Sequence, residues 1–235
     1  MTTTQIDFFN SDALTSASNT ASLAAIKASR EDIKLNHGSL QLYYPVFPPD
    51  KSQQLFESLL QKTPWRQDTI LMHGRNIAVP RLQAWYGDAT RFYQYSGIRL
   101  KPEPWTNDLL QIKALVEEIS GKSFNSVLLN LYRDGKDSVS WHSDDEPELG
   151  LHPTICSLSL GNPRRFMLRQ KQHQPNIQSA TKETKMHKAE KLTLMLPHNS
   201  LLVMGGEIQK YWQHAAPKTT KPVGQRLNLT FRQII

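Results

Sequence analysis

At 235 residues and 38% hydrophobic content, the chain is long enough for a single domain with a buried core. No apolar run approaches the ~20 residues of a membrane-spanning helix, no basic stretch leads into an apolar one as in a secretory signal, and the single cysteine, Cys156, excludes an internal disulfide framework; the expected setting is intracellular and reducing. The formal charge of +7 favours a polyanionic partner, but basic proteins of this size are common, so charge alone decides little.

In chain order, residues 1–38 are rich in Ser, Thr and Ala and read as a mobile segment with at most a short helix near Ser22 to Lys34, ahead of one domain over 39–235. Leu42-Tyr43-Tyr44-Pro45-Val46-Phe47 reads as a strand, and Pro49-Asp50 opens an amphipathic helix with Leu55, Phe56, Leu59 and Leu60 on one face. Ile70-Leu71-Met72-His73-Gly74-Arg75-Asn76 joins apolar residues to a turn glycine and a cation. It reads as a plain hairpin with Ile70 and Met72 toward the core, or as one able to enter a base stack. Arg81, Trp85, Tyr86, Tyr93 and Tyr95 combine cations with aromatics, which suits a flipped base and its phosphates, while Trp85 and Tyr86 also read as partly core. A second helix is predicted from Thr106 to Ser120, with Leu109, Ile112, Leu115, Val116 and Ile119 at helical spacing and Gly121 as its stop. From Ser126 onward, short strands separated by turn residues imply an antiparallel barrel or sandwich.

The chemistry-bearing residues fall in this last region. His142-Ser143-Asp144 is an H-x-D pair, and on an extended segment residues two apart face the same side, so one short stretch can supply two cis metal ligands. Two imidazoles and a carboxylate on one face of a metal, with the other positions open, form the ligand set of non-heme Fe(II) oxygenases. The pair alone is a weak signal. In Arg226-Leu227-Asn228-Leu229-Thr230-Phe231-Arg232 the polar residues share one face and the apolar ones the other, which reads equally as a half-buried strand with a solvated face. The stretch Leu129-Asn130-Leu131-Tyr132-Arg133 adds Asn130 and Tyr132 on one face, just before an Asp134-Gly135-Lys136 turn and His142. Arginine forks hold carboxylates by paired hydrogen bonds, so Arg226 and Arg232 with Tyr132 suit a small diacid.

For a third metal ligand, His198 lies in the turn signature Pro197-His198-Asn199-Ser200, where histidine usually faces solvent. His173 and His187 lie in a polar, lysine-rich stretch without apolar periodicity. His214 follows Tyr211-Trp212 close to the clamp strand and is the better placed. Residues 164–191 hold Arg164, Arg165, Arg169, Lys171, Lys182, Lys185, Lys188 and Lys191 against Glu183 and Glu190, and the polar middle, about 170–190, reads as a long loop. It either follows phosphates or is a solvated insertion.

The motifs FNSVLLNLYRDGKDSVSWHSDDEPELG, PTICSLSLG with RRFMLR, LPHNSLLVMGG, YWQHAAP and RLNLTFRQI together resemble the AlkB family of Fe(II)/2-oxoglutarate-dependent nucleic-acid dealkylases, nearest its vertebrate-type DNA-repair members. VPRLQAWYGD and FYQYSG extend the likeness over about residues 40–235. The resemblance implies an α+β, mainly β fold: a double-stranded β-helix, or jelly roll, with flanking helices and a substrate lid over about 66–100. It also implies Fe(II) on His142, Asp144 and His214, and 2-oxoglutarate on Asn130, Tyr132, Arg226, Thr230 and Arg232, with Asn228 less securely in that set; O2 is the second cosubstrate. Substrate contacts by resemblance are His73, Gly74, Arg75, Arg81, Tyr93, Ser96 and Asp145. An anion at Asp145 favours a cationic methylated base over a neutral one. The implied function is oxidative demethylation of bases of the 1-methyladenine and 3-methylcytosine type in DNA, with formaldehyde released. The alternatives are an oxygenase acting on RNA or protein, or a non-catalytic nucleic-acid-binding relative. The expected partner is alkylated DNA, with RNA second, and the expected state is a monomer. His73 stands where the duplex-acting member of the family carries an intercalating phenylalanine, a departure that bears on strand preference.

Overall fold

The structure, a computed structural model, describes residues 23–72, 74–89, 93–95, 98–171 and 190–235. After a short helix at 23–28 come β1 (Glu31–Leu35), β2 (Gly38–Tyr43), α1 (Pro49–Lys62), β3 (Thr69–Met72), β4 (Arg75–Ala78), β5 (Leu82–Gly87), β6 (Tyr93–Tyr95), β7 (Ile98–Leu100) and α2 (Asn107–Ser120). The second half is β8 (Ser126–Tyr132), β9 (Val139–His142), β10 (Ile155–Gly161), β11 (Arg164–Gln170), β12 (Lys191–Leu196), β13 (Ser200–Gly205), α3 (Ile208–Tyr211), β14 (Trp212–Ala216) and β15 (Arg226–Arg232). A major sheet of order β1-β2-β13-β10-β15-β8-β5 and a minor sheet of order β12-β11-β14-β9 make up the jelly roll.

Alternation along the central strands decides what each side of the major sheet does. One face carries Val127, Leu129 and Leu131 of β8, Cys156, Leu158 and Leu160 of β10 and Leu227, Leu229 and Phe231 of β15; they form one buried cluster with the apolar faces of α1 and α2. The opposite face looks toward the minor sheet. Its apolar part, including Leu40, Ile155, Leu202 and Met204, packs with Phe166, Leu168 and Trp212 of the minor sheet, and its polar part builds the site. The helices form as their sequences suggest. Thr106 Oγ1 accepts from the Leu109 N–H to cap α2, and Gly121 ends it in the left-handed region at φ 66°. Pro49 begins α1, whose Leu55 and Leu59 are buried.

Two sequence expectations are corrected. The short helix foreseen near Ser22 to Lys34 lies at 23–28 of the described residues, but β1 occupies part of the segment expected to be mobile to residue 38. Antiparallel pairing with β2, and Ile33 and Leu35 resting on the inter-sheet cluster, outweigh its polar composition; His37 at φ 65° makes the tight link. The strand read through Phe47 ends at Tyr43, although Val46 and Phe47 are buried as loop residues, Phe47 through backbone hydrogen bonds with the Asn199 amide. The β3–β4 hairpin exists as expected; Ile70 is half-buried, Ile77 opposite it is 43% exposed, and Leu71 on the other face is 72% exposed. Among the described residues no helix is long and apolar enough to cross a membrane.

Candidate metal centre and diacid pocket

His142 ends β9, and His214 lies directly opposite it on β14, so backbone register places two imidazoles side by side with ring centroids 4.3 Å apart. Asp144 follows two residues after His142. One ligand atom from each of His142, Asp144 and His214 comes within 4.8 Å of the others, the only such group of three among the described residues. His142 Nδ1 lies 2.9 Å from Ser140 O; a carbonyl only accepts, so Nδ1 carries a proton, and in the neutral ring Nε2 is the nitrogen with a lone pair for a metal. Phe166 stacks on His214 at 5.3 Å and fixes that ring.

Electrostatics support a cation here. Burial, then His142, pushes the pKa of His214 down to about 3, so the ring is neutral. Burial alone would raise Asp144, but Arg232, followed by His214 and His142, outweighs it and holds the carboxyl at about 2, ionised. Asp144 Oδ1 accepts from Arg232 at 2.6 Å. Its other oxygen, Oδ2, is buried without a hydrogen bond, 3.8 Å from His214 Nε2. A carboxylate oxygen facing imidazole lone-pair positions across a gap too long for a hydrogen bond is a donor set a divalent cation satisfies, and Fe(II) fits it.

The clamp strand crosses the same cavity. Pairing of β15 with β8 puts Arg226 opposite Tyr132 and Asn228 opposite Asn130, and pairing with β10 puts Asn228 and Thr230 opposite Ser159 and Ser157. Arg226 is 3% exposed, donates to Ser159 Oγ at 2.9 Å and lies 5.2 Å from the Tyr132 ring centre, with Nε buried and unpaired. Burial drives its pKa down, countered by Tyr132, yet a guanidinium keeps its charge. No carboxylate pairs with it among the described residues. Asn130 Oδ1 accepts from Arg81 Nε at 2.8 Å and Gln83 Nε2 at 3.0 Å, which leaves its Nδ2 as the donor available to a ligand.

Other sequence-predicted residues turn out differently. The Asn228 amide donates to Ser157 Oγ and Leu158 O and accepts from Thr230, so it props the clamp. Asp145, which the resemblance turns toward the base, is more than half exposed and accepts from Lys171 Nζ at 2.9 Å. Arg81 lines the cavity but is engaged with Asn130 and with Ser138 O. Gly74 is exposed at φ 74° and Arg75 is exposed. Tyr93 lies in β6, and His73, Ser96 and 172–189 of the basic loop lie outside the described residues. Of the basic segment's cations, Arg164 is buried and donates to three backbone carbonyls, those of Asp134, Asp137 and Pro217, and Arg169 lies over Trp141. Neither is a free phosphate ligand. His198 is not solvent-facing: the Gly161 N–H donates to its Nδ1 at 2.8 Å, and Nε2 meets Ser52 Oγ at 2.8 Å. Trp85 and Tyr86 are core, at 7% and 4% exposure.

Sequence reasoning missed Ser157, Ser159, Gln83 and Gln209. The two serines alternate with Cys156, Leu158 and Leu160, the same pattern that exposed the clamp, so that signal was present. Gln209 offered none.

A jelly roll with a two-histidine, one-carboxylate cluster and a buried arginine clamp defines an oxygenase class, and the chain belongs to the 2OG-Fe(II) oxygenase superfamily, whose family model matches residues 39–232. Within it the chain belongs to the AlkB family. It is 43% identical over 185 residues to the alpha-ketoglutarate-dependent dioxygenase alkB homolog 3 of Bos taurus, covering 78% of this chain and 62% of that protein. Against the DNA oxidative demethylase ALKBH2 of Arabidopsis thaliana the identity is 35% over 221 residues, covering 88% and 70%. The chain thus spans just under two thirds of the length of its alkB homolog 3 relatives. The solved structure of OsALKBH1 covers 86% of this chain and all of that one, with a TM-score of 0.52 at 15% identity, and bears on the fold alone.

Proposed function

We propose that the protein is an Fe(II)- and 2-oxoglutarate-dependent dioxygenase that removes methyl groups from alkylated nucleic-acid bases, with DNA as the leading substrate. One observation carries the cosubstrate assignment: Arg226 is a buried cation without a counter-charge among the described residues, at the wall of the cavity that also holds His142, Asp144 and His214. An uncompensated buried charge costs several kcal/mol, so such a site is built for an anion that arrives with the ligand. A diacid meets the requirement at one end and the metal at the other.

In this reading His142, Asp144 and His214 hold Fe(II). Arg226 takes the distal carboxylate of 2-oxoglutarate, with Tyr132, Asn130 and Thr230 beside it. The chemistry such a centre supplies is oxidative decarboxylation of 2-oxoglutarate to succinate and CO2, coupled to hydroxylation of a C–H bond by O2. On an N-methyl group the product is a hemiaminal, which collapses to formaldehyde and the unmodified base. Arg232 neutralises one Asp144 oxygen and so keeps the other directed at the metal position. Phe166, Leu128 and Met204 exclude water from the cavity wall. The AlkB relatives named as DNA oxidative demethylases support nucleic acid as the substrate class. The test is turnover of 1-methyladenine in single-stranded DNA, duplex DNA and RNA with Fe(II) and 2-oxoglutarate, read as formaldehyde and restored base. Succinate formation without demethylation of any of the three sinks the substrate assignment, and a methylated peptide extends the panel.

A further inference from the structure

Asp144 sits just beyond the end of β9, outside the sheet ladder, so backbone pairing does not fix it as it fixes His142 and His214. Two contacts take over. Ser143 Oγ donates to Trp212 O at 2.7 Å, and the Asp144 N–H donates to Gln209 Oε1 at 2.9 Å. Gln209 is 2% exposed, and its Nε2 lies 3.8 Å from Met204 Sδ. The Asp144 N–H sets the amide orientation: flipped, the Gln209 NH2 would face that N–H, donor against donor. The backbone carbonyl of Gln209 accepts from Lys171 Nζ at 2.9 Å, the same ammonium that holds Asp145. One residue therefore touches the main chain of a metal ligand on one side and anchors the rim ion pair on the other.

We propose that Gln209 is a positioning residue for the metal, acting through Asp144. Its side-chain carbonyl holds the Asp144 backbone so that Oδ2 faces His214 Nε2 while Oδ1 is taken by Arg232. Groups that orient metal ligands in this way typically account for about 10- to 100-fold in metal affinity. The inference rests on the reading of His142, Asp144 and His214 as the metal site.

The test is Mn(II) titration followed by the EPR signal of free Mn(II), without cosubstrate or turnover, on wild type, His142→Ala, Gln209→Met and Gln209→Glu. Met keeps length and bulk but removes the acceptor; Glu keeps an acceptor oxygen. The expected result is tight binding by wild type, loss in His142→Ala, about 10- to 100-fold weaker binding in Gln209→Met, and recovery to near wild type in Gln209→Glu. Mn(II) affinity within threefold of wild type in folded Gln209→Met overturns the proposal, as does Gln209→Glu binding as weakly as Gln209→Met. Should Gln209→Met not fold, Gln209→Leu, which also lacks the acceptor, takes its place under the same threefold criterion. Failure of wild type itself to bind Mn(II) overturns the metal reading instead, which separates the two.

Discussion

Replacing Arg226 by Met removes the cation on which the diacid assignment depends. The guanidinium loses one charge-assisted hydrogen bond, to Ser159 Oγ, worth about 1.5–3 kcal/mol, and its contact over Tyr132, worth about 0.5–2 kcal/mol. Against this stands the cost of holding a charge at 3% exposure without a counter-ion among the described residues, itself several kcal/mol. The two nearly cancel, so ligand-free Arg226→Met should melt within about 4 °C of wild type, equivalent to about 1 kcal/mol in a chain of this size. Binding behaves differently. Loss of a buried charge pair weakens 2-oxoglutarate by about 2–5 kcal/mol, or about 30-fold to several thousand-fold. With Mn(II) present and 2-oxoglutarate at about 100 times its Kd, wild type gains about 2.7 kcal/mol, an upward Tm shift of about 5–10 °C. At the same concentration Arg226→Met should show a shift of at most about 2–3 °C, falling to almost none at the upper end of that weakening. A retained shift refutes the assignment of the distal carboxylate to Arg226, and a ligand-free melt lowered by more than 10 °C refutes the claim that this charge lacks a counter-ion.

Burial depresses the His214 pKa to about 3, so the unfolded chain binds a proton that the native protein refuses; metal-free protein should lose stability as pH falls from about 6.5 toward 3, and denaturant melts of His214→Phe should show a shallower slope there. His198 is depressed in the same direction by burial and must stay unprotonated at Nδ1 to accept from Gly161; His198→Ala should lower Tm by several degrees in a thermal melt while leaving turnover per folded molecule unchanged. Gly161 has φ 89°, and a Cβ there would lie 2.5 Å from Gln225 O, so Gly161→Ala should cost at least about 1–3 kcal/mol in chemical denaturation. His142→Ala should abolish formaldehyde release from 1-methyladenine DNA, and full turnover in that variant sinks the metal assignment.

The parts of the protein legible in sequence are those where local periodicity and burial coincide. Leu227, Leu229 and Phe231 alternate with Arg226, Asn228, Thr230 and Arg232 because the strand separates two compartments, and α2 announces itself through Thr106, its apolar stripe and Gly121. What stayed hidden depends on partners far along the chain. His198 reads as an exposed turn residue until α1 brings Ser52 against it, and Arg164 reads as part of a basic run until the carbonyls of Asp134, Asp137 and Pro217 converge on its guanidinium. Gln209 sits in a four-residue helix with no periodicity to interpret, and its contact lies 65 residues away in sequence. β1 was obscured for a related reason: its strand character comes from pairing with β2, which its polar composition does not signal.

The interleaving on β15 also ties the polar face of the cavity to the packing of the core. A chain that has hidden Leu227, Leu229 and Phe231 beneath the helices has, by the period of the strand, already turned Arg226, Thr230 and Arg232 the other way. A slip of one residue would bury the arginines among leucines and leave the cavity greasy. Misregistered molecules are thus destabilised for the same reason that they lose the pocket proposed for the diacid: the register that buries the core also sets the polar face.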